Sequence, residues 1–189
     1  MIFEKFEDAI VEINGVTDPQ FLKLLIDYAD KKCTAKLPTH KATITITTAL
    51  DVRKVLGHSL TDSSVSDMAH FKNIQDEIMK GYSHYKFKFP QIRTTRLLQV
   101  DFLKYEEGYK YDYHVDDYGF SRTLSIILNL NDEYEGGDLV FGHQNLRDEL
   151  KRIKMKSGTM CFFPSNFLYP HKIEEITKGI RYSVVAWLG

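Results

Sequence analysis

The sequence has little cysteine, no long hydrophobic run and almost no net charge, and each absence argues against a class of protein. Only two cysteines occur, far apart at Cys33 and Cys161, which argues against a disulfide framework and for a reducing compartment. No apolar run approaches the roughly 18 residues of a membrane-spanning helix. The net charge of −1 provides no overall basic surface, so nucleic acid is not an expected partner.

The composition that remains is that of a soluble globular protein. Hydrophobic residues make up 43% of the 189 residues and charged residues 27%, and this length predicts one domain with a sizeable core. The first residues, Met1 to Lys5, lack the basic start and apolar stretch of a secretory signal. We therefore expect a cytoplasmic protein with no membrane partner. The oligomeric state is left open.

Two helices are predicted in the first half of the chain. Asp18 and Pro19 form a strong helix start, and this helix is expected to stop before Cys33. A second helix is predicted from about Ser64, which with Asp67 has the form of a capping box. Pro90 lies beyond its end. Its apolar stripe consists of Val65, Met68, Phe71, Ile74, Ile78, Met79 and Tyr82.

The same half also contains weaker signals. Phe6 to Val16 is predicted to be a short strand, and the alternating, β-branched run Thr43 to Thr48 a second one. Asp51 to Gly57 is interpreted as one or two helical turns. We expect residues 1–92 to support the rest of the chain with helices and strands.

The second half has short strand-like runs separated by Gly, Asp and Asn, which is typical of a β sandwich or jelly roll. We predict a mainly β fold with flanking helices. It would be a cupin-like double-stranded β-helix over residues 93–189, with N-terminal helices packed on its major sheet. The predicted strands are Thr94–Tyr105, Tyr109–His114, Arg122–Leu130, Asp138–Phe141, Leu150–Met155, Thr159–Phe163, His171–Ile176 and Ile180–Leu188.

A histidine and a carboxylate stand two residues apart at His114 and Asp116. Side chains alternate along a strand, so both point to one face. Two histidines and one carboxylate form the facial triad that binds ferrous iron and leaves open positions on the metal. Taken alone the pair is a weak signal, since many such pairs are surface residues. His171 is the candidate for the third ligand.

Arg181 follows His171 by ten positions, on a strand otherwise made of apolar and small residues. Alternation places Arg181 on one face with Ser183, Val185 and Trp187. A guanidinium inside a barrel is costly unless it meets an anion, and its planar fork suits a carboxylate. The sequence therefore predicts a metal site together with a place for a carboxylate-bearing co-substrate.

These blocks resemble the Fe(II)- and 2-oxoglutarate-dependent oxygenases, and more narrowly their prolyl 4-hydroxylase-like branch. The resemblance covers residues 96–188, about half the chain. It rests on YEEGYKYDYHVD from Tyr105, RTLSIILNLN from Arg122, EGGDLVF from Glu135, GTMCFFPS from Gly158, PHKI from Pro170 and GIRYSVVAW from Gly179. The first half carries no comparable signature.

The resemblance implies Fe(II), 2-oxoglutarate and O2 as cofactor and co-substrates, with ascorbate as a possible reductant. It assigns the metal to His114, Asp116 and His171, and the distal carboxylate of 2-oxoglutarate to Arg181. Tyr105 would hydrogen-bond the co-substrate, and three more residues fall in the same pocket: Ser183, Ile127 and Asn129. Relatives often carry an aromatic residue in place of Asn129, and this leaves open whether it contacts the co-substrate.

The implied activity is hydroxylation of an unactivated C–H bond, with a prolyl residue of a peptide or protein as the leading substrate. A free amino acid or other small molecule is the main alternative. A nucleic-acid demethylase and a non-enzymatic, metal-binding jelly roll are less favoured alternatives. The substrate would be contacted by loops at 36–64, 117–121, 142–149 and 165–169.

Overall fold

The computed structural model describes residues 5–16, 18–37, 53–94, 96–117, 121–143 and 148–189. The predicted strand Thr43 to Thr48 lies outside these residues. None of the helices in the described ranges is both long and apolar enough to cross a lipid bilayer.

Two α-helices, one short 3₁₀ helix and fourteen strands are found in these ranges, which confirms the mainly β prediction. The helices are α1 (Pro19–Lys32) and α2 (Val65–Lys88). The strands of the first half are β1 (Val11–Asn14), β2 (Ala35–Lys36), β3 (Arg53–Lys54) and β4 (Leu56–Ser59). Those of the second half are β5 (Leu97–Tyr105), β6 (Lys110–His114), β7 (Leu124–Asn129), β8 (Tyr134–Gly136), β9 (Leu139–Gly142), β10 (Glu149–Ile153), β11 (Thr159–Pro164), β12 (His171–Ile173), β13 (Ile176–Gly179) and β14 (Arg181–Leu188).

The strands form two main antiparallel sheets with a small third one. The larger sheet has the order β1-β11-β7-β14-β5-β4-β2, the smaller one β10-β9-β12-β6-β3, and β13 pairs with β8. Consecutive strands therefore often alternate between sheets, as in a jelly roll. The first half supplies strands to both sheets. The division into a support at 1–92 and a core at 93–189 stays a prediction.

Both helices pack on the outer face of the larger sheet. Leu25 of α1 and Ile74 of α2 are fully buried against that face, in one cluster with Phe102 of β5 and Val184 of β14. A second cluster fills the space between the two sheets and includes Phe141, Phe163 and Trp187. The helices thus back the larger sheet and leave its inner face for the site.

The helix starts are as predicted. Asp18 accepts a hydrogen bond from the Gln20 amide at 2.9 Å, and the Ser64 hydroxyl accepts one from the Asp67 amide at 3.3 Å. The apolar stripe of α2 was wrong in its first turn, because Val65 is 80% and Met68 47% exposed. The side that this turn buries is instead that of Asp67, which contacts Tyr28 of α1 and His58 of β4.

Three predictions of local structure were wrong in detail. Phe6–Ala9 is a 3₁₀ helix, and only Val11–Asn14 pairs as a strand. The described part of Asp51–Gly57 is extended rather than helical, because Arg53 and Leu56 pair with strands β6 and β5. The run from His171 divides into β12 and β13, which belong to different sheets.

A buried carboxylate connects the helices to the sheet. Asp67 is 1% exposed and accepts hydrogen bonds from the hydroxyl of Tyr28 and the amide of Thr61, and its Oδ2 lies 3.2 Å from His58 Nε2. Burial alone would raise the pKa of Asp67, but these hydrogen bonds outweigh it and lower the pKa to about 2. The side chain therefore stays ionised inside the fold.

We expect Asp67→Asn to lower the free energy of unfolding by about 1–3 kcal/mol, the cost of weakening a buried charged hydrogen-bond acceptor. Because the folded pKa is depressed, the stabilisation is complete above the unfolded value near 3.8 and is lost as pH falls through about 2. Urea titrations at pH 7, 4, 3 and 2 measure it. Asp76→Asn, on an exposed turn of the same helix, is the matched control. Equal losses in the two variants at pH 7 would contradict this role of Asp67.

Candidate functional site

Strand pairing brings the two predicted histidines together. His114 is the last residue of β6 and His171 the first residue of β12, and the antiparallel register places them directly opposite each other. Their ring centroids are 4.3 Å apart. Two histidines that are distant in sequence are thus brought together by a single strand pair.

Asp116 completes a cluster of three. Its Oδ1 lies 3.7 Å from His114 Nε2, and its Oδ2 lies 3.7 Å from His171 Nε2. One potential ligand atom from each residue falls within 4.8 Å of the others, and all three residues are buried. No other such group of His, Cys, Asp or Glu occurs in the described part of the chain.

Hydrogen bonds to the backbone set the tautomer of each imidazole. His114 Nδ1 lies 2.9 Å from the carbonyl oxygen of Asp112, and His171 Nδ1 lies 3.1 Å from that of Tyr169. A carbonyl can only accept, so each Nδ1 carries the hydrogen and donates it. The lone pair of each Nε2 then points toward Asp116, as metal-binding histidines require.

Aromatic packing fixes the two rings in place. Tyr111 stacks on His114 with ring centroids 3.6 Å apart and planes inclined by 13°. Phe163 meets the ring of His171 edge-on at 4.7 Å, and Phe141 lies on it at 5.7 Å. Neither imidazole can turn without displacing an aromatic neighbour, so the cluster is preorganised.

The protonation states suit a cation. Burial, with the neighbouring His171, lowers the pKa of His114 to about 3, so its ring is neutral at pH 7. Burial would raise the pKa of Asp116, but His171 and His114, together with the side chains of Ser125 and Trp187, hold the pKa below its usual value. The cluster therefore combines a neutral imidazole nitrogen of His114 with one ionised carboxylate.

One oxygen atom of the cluster lacks an interaction that a metal ion would supply. Asp116 Oδ2 is buried and, among the described residues, has no hydrogen-bond partner. A buried carboxylate oxygen without a partner is costly. Two imidazole nitrogens and a carboxylate are also the donor set of an iron site with open coordination positions. The residues present thus fit a divalent metal ion.

A positive charge lies in the same cavity as the cluster. Arg181 is 1% exposed and lines the cavity together with three other residues proposed from the sequence, namely Tyr105, Ser183 and Ile127. Arg181 and Tyr105 are paired across β14 and β5, and the guanidinium carbon lies 5.4 Å from the centre of the tyrosine ring. The structure thus brings these residues to one end of the cavity.

Asn129 is placed differently from these four. Its amide nitrogen donates to the carbonyl oxygens of Asn131 at 2.5 Å and Met155 at 3.2 Å, and the side chain is fully buried. Asn129 is not among the residues that line the cavity in the described part of the chain. Its direct contact with a co-substrate is therefore not supported by this geometry.

The opposite end of the cavity has a polar rim that was not predicted. Arg122 stacks on Trp187 at 3.6 Å and donates to Gln99, which in turn donates to the buried carboxylate of Asp101. Trp187 belongs to the core cluster between the sheets and also forms part of the cavity wall. Alternation counted back from Tyr105 along β5 could have found Gln99 and Asp101.

The candidate substrate loops are described only in part. The rim residues of the cavity include Leu37 and Ser59 from the 36–64 stretch and Asp117 from the 117–121 stretch. Residues 38–52, 118–120 and 144–147 lie outside the described ranges.

Comparison with known proteins yields one family and a consistent set of relatives. Residues 100–189 match the family model described as the 2OG-Fe(II) oxygenase superfamily. A PKHD-type hydroxylase of Rippkaea orientalis is 32% identical over 102 residues, which is 49% of this chain and 43% of that protein. The chain thus spans less than half the length of this curated relative.

Solved structures share the fold. A prolyl-4-hydroxylase from Pseudomonas putida superposes with a TM-score of 0.69 over 95% of this chain and 91% of that chain, at 15% identity. A prolyl hydroxylase from Trichoplax adhaerens, in complex with a hypoxia-inducible-factor peptide, gives 0.72 over 95% and 83%, at 14% identity. These likenesses confirm the predicted jelly roll, and residues 100–189, just under half of the chain, are similar to the 2OG-Fe(II) oxygenase superfamily.

Proposed function

We propose that the protein is an Fe(II)- and 2-oxoglutarate-dependent hydroxylase. One observation carries the proposal: a preorganised His, Asp, His cluster and a buried arginine with an unpaired nitrogen line the same cavity of the described chain. The first is suited to a divalent metal and the second to a carboxylate. A jelly roll that kept a metal only for structure would give the arginine no purpose.

The proposed roles divide along the cavity. His114, Asp116 and His171 would hold Fe(II), and Arg181 would bind the distal carboxylate of 2-oxoglutarate. Bound iron, with 2-oxoglutarate and O2, would supply the oxidation that places a hydroxyl oxygen on a C–H carbon and releases succinate and CO2. Ascorbate would act only as an added reductant.

The protein itself positions the metal ligands and excludes water from the cavity. The three side chains would supply three ligands to the metal and so leave other coordination positions for the co-substrates. Phe141 and Phe163 close the site behind His171, and Ile127 and Val185 add apolar wall. Because an apolar wall keeps water out, electrostatic contacts inside the cavity are stronger and side reactions are limited.

We propose a prolyl residue of a peptide or protein as the substrate class. The support is the naming of the relatives, since prolyl hydroxylases from Pseudomonas putida and Trichoplax adhaerens share the fold and the latter was solved with a peptide. A free amino acid is the alternative substrate.

A cytoplasmic location stays our expectation, because both cysteines are free and buried.

Purified protein stripped of metal with a chelator should release no succinate from 2-oxoglutarate, and added Fe(II) should restore release. Nitrogen and oxygen sites hold Fe(II) more weakly than Ni(II) or Zn(II), so these metals should compete and inhibit.

Mass spectrometry of proline-containing peptides should show the gain of one oxygen. Free proline and other amino acids are tested in parallel.

Succinate release that persists in the chelated protein would contradict the proposal. If free amino acids but no peptide gained oxygen, the proposed hydroxylase chemistry would stand, and a free amino acid would replace the prolyl peptide as the substrate.

A further inference from the structure

The guanidinium of Arg181 is held on two of its three nitrogens. Nε donates to the hydroxyl oxygen of Tyr134 at 3.3 Å, and Nη1 donates to the hydroxyl oxygen of Ser183 at 3.2 Å. Nη2 is buried and has no partner among the described residues. Tyr134 and Ser183 therefore restrain Nε and Nη1 of the guanidinium, while Nη2 is left without a hydrogen-bond partner among the described residues.

The direction of the hydrogen bonds beyond Tyr134 is fixed by Asn129. Its amide nitrogen donates to two carbonyl oxygens, those of Asn131 and Met155, so its Oδ1 faces Tyr134 at 3.3 Å. An amide oxygen can only accept. The hydroxyl hydrogen of Tyr134 must point to Asn129, and its lone pairs must then face Nε of Arg181.

This one-way chain of donors runs from Arg181 through Tyr134 and Asn129 to the backbone. Every polar atom that links these groups has its partner, and all three side chains are buried. A satisfied buried network is rigid, since each alternative arrangement leaves a buried group unpaired. The guanidinium therefore has one favoured orientation.

The backbone is shaped to let these side chains meet. Gly137 has φ +67°, and a Cβ there would lie 3.1 Å from the ring of Tyr134 and 3.3 Å from Cδ of Arg181. The same Cβ would come within 2.4 Å of Ile176. A side chain at 137 would thus crowd the junction between Tyr134 and Arg181.

We propose that Tyr134, held by Asn129, is a positioning residue that aims Nη2 of Arg181 at the distal carboxylate of a 2-oxo dicarboxylic acid. The inference deepens the proposed function and rests on it. With Nε occupied, the carboxylate meets the Nη edge. The hydroxyl of Ser183 accepts from Nη1 and keeps its own hydrogen for the same carboxylate. Asn129 thus acts at a distance of two hydrogen bonds from the guanidinium and does not touch the ligand.

The test uses ligand binding to the Mn(II)-loaded protein, followed by calorimetry and by the fluorescence of Trp187, the single tryptophan of the chain and part of the cavity wall. Two probes are compared: 2-oxoglutarate, and 2-oxopentanoate, which has the same chain length without the distal carboxylate. For Tyr134→Phe we expect the dissociation constant for 2-oxoglutarate to rise about 3- to 10-fold, the effect of one hydrogen bond. The dissociation constant for 2-oxopentanoate should stay within about twofold, because this ligand has no distal carboxylate to accept a hydrogen bond from the guanidinium.

Two further variants make the result specific. Asn129→Ala keeps the ring and hydroxyl of Tyr134 but removes the acceptor that orients it, and should weaken 2-oxoglutarate binding in the same selective way. It also replaces Tyr134→Phe if that variant does not fold. Tyr182→Phe is the matched control, since Tyr182 lies next to Arg181 on the strand but donates to Asp30 at 2.7 Å, away from the cavity. Its affinity should not change for either probe.

Unchanged 2-oxoglutarate binding in Tyr134→Phe and Asn129→Ala, or an equal loss for both probes, would overturn the inference and leave the proposed function standing. Failure of the unaltered protein to bind 2-oxoglutarate would overturn both.

Discussion

Asp116→Ala is expected to lower the affinity for divalent metal by more than about 100-fold, since even the outer partners of metal ligands change affinity 10- to 100-fold. Succinate release should fall below detection. The physical reason is that Asp116 is the one anionic group in the described cluster, with an oxygen 3.7 Å from each imidazole Nε2 atom. Mn(II) titration by calorimetry measures the affinity, and coupled turnover measures the activity.

Asp117→Ala is the matched control, because it removes a neighbouring carboxylate that is exposed and belongs to no cluster of potential ligands in the described ranges. Its metal affinity should equal that of the unaltered protein. The reverse result, with Asp117→Ala losing metal and Asp116→Ala retaining it, would refute the assignment of the cluster.

Arg181→Lys should weaken the binding of 2-oxoglutarate about 5- to 150-fold, equivalent to about 1–3 kcal/mol for a hydrogen bond to a charged group. The apparent Michaelis constant for this co-substrate should rise by a similar factor. Lysine keeps the charge but has no planar fork, and it cannot satisfy Tyr134 and Ser183 while reaching a carboxylate. Affinity for Mn(II) alone should not change, since the arginine belongs to the co-substrate end. Calorimetry with metal and co-substrate added separately distinguishes the two effects.

Arg152→Lys makes the same exchange on an exposed arginine that pairs with Glu149 and Glu174 on the surface. Co-substrate affinity should be the same as in the unaltered protein. An Arg181→Lys variant that binds 2-oxoglutarate as tightly as Arg152→Lys does would remove the anchor role from Arg181.

The arrangement of the site was predictable where a local pattern determines geometry. Alternation alone places Arg181, Ser183 and Trp187 on one face of a strand, and the structure has them in one cavity wall. The spacing of His114 and Asp116 likewise predicts a common direction, and both face His171. Their role as metal ligands remains a prediction, which the Asp116→Ala variant tests.

Helix ends were predictable for the same reason, because a cap depends on residues close in sequence. Asp18 and Ser64 both begin helices as expected. Extended segments near Arg53 and Leu56 were not predictable. They are strands only because β6 and β5 offer them an edge, and local sequence carries little information about such partners.

The supporting residues of the site were missed for a related reason. Tyr134 reaches Arg181 across 47 positions, and Asn129 was assigned to the pocket although its amide serves the backbone. The contact of Tyr134 arises from β8, a three-residue strand that pairs with β13 and was not predicted. Short strands have too few residues for alternation to be recognised.

Strands β5 and β14 run side by side along the cavity wall, so residues farther apart on these strands lie farther apart along the cavity. Tyr105 lies beside Arg181 at one end of this pair, and Gln99 lies beside Trp187 at the other. At about 3.3 Å per residue, these ends are separated by about 20 Å. Changes near position 187 should therefore alter which substrate is accepted without disturbing position 181, so that the two ends of one strand can be engineered, or diversify, independently.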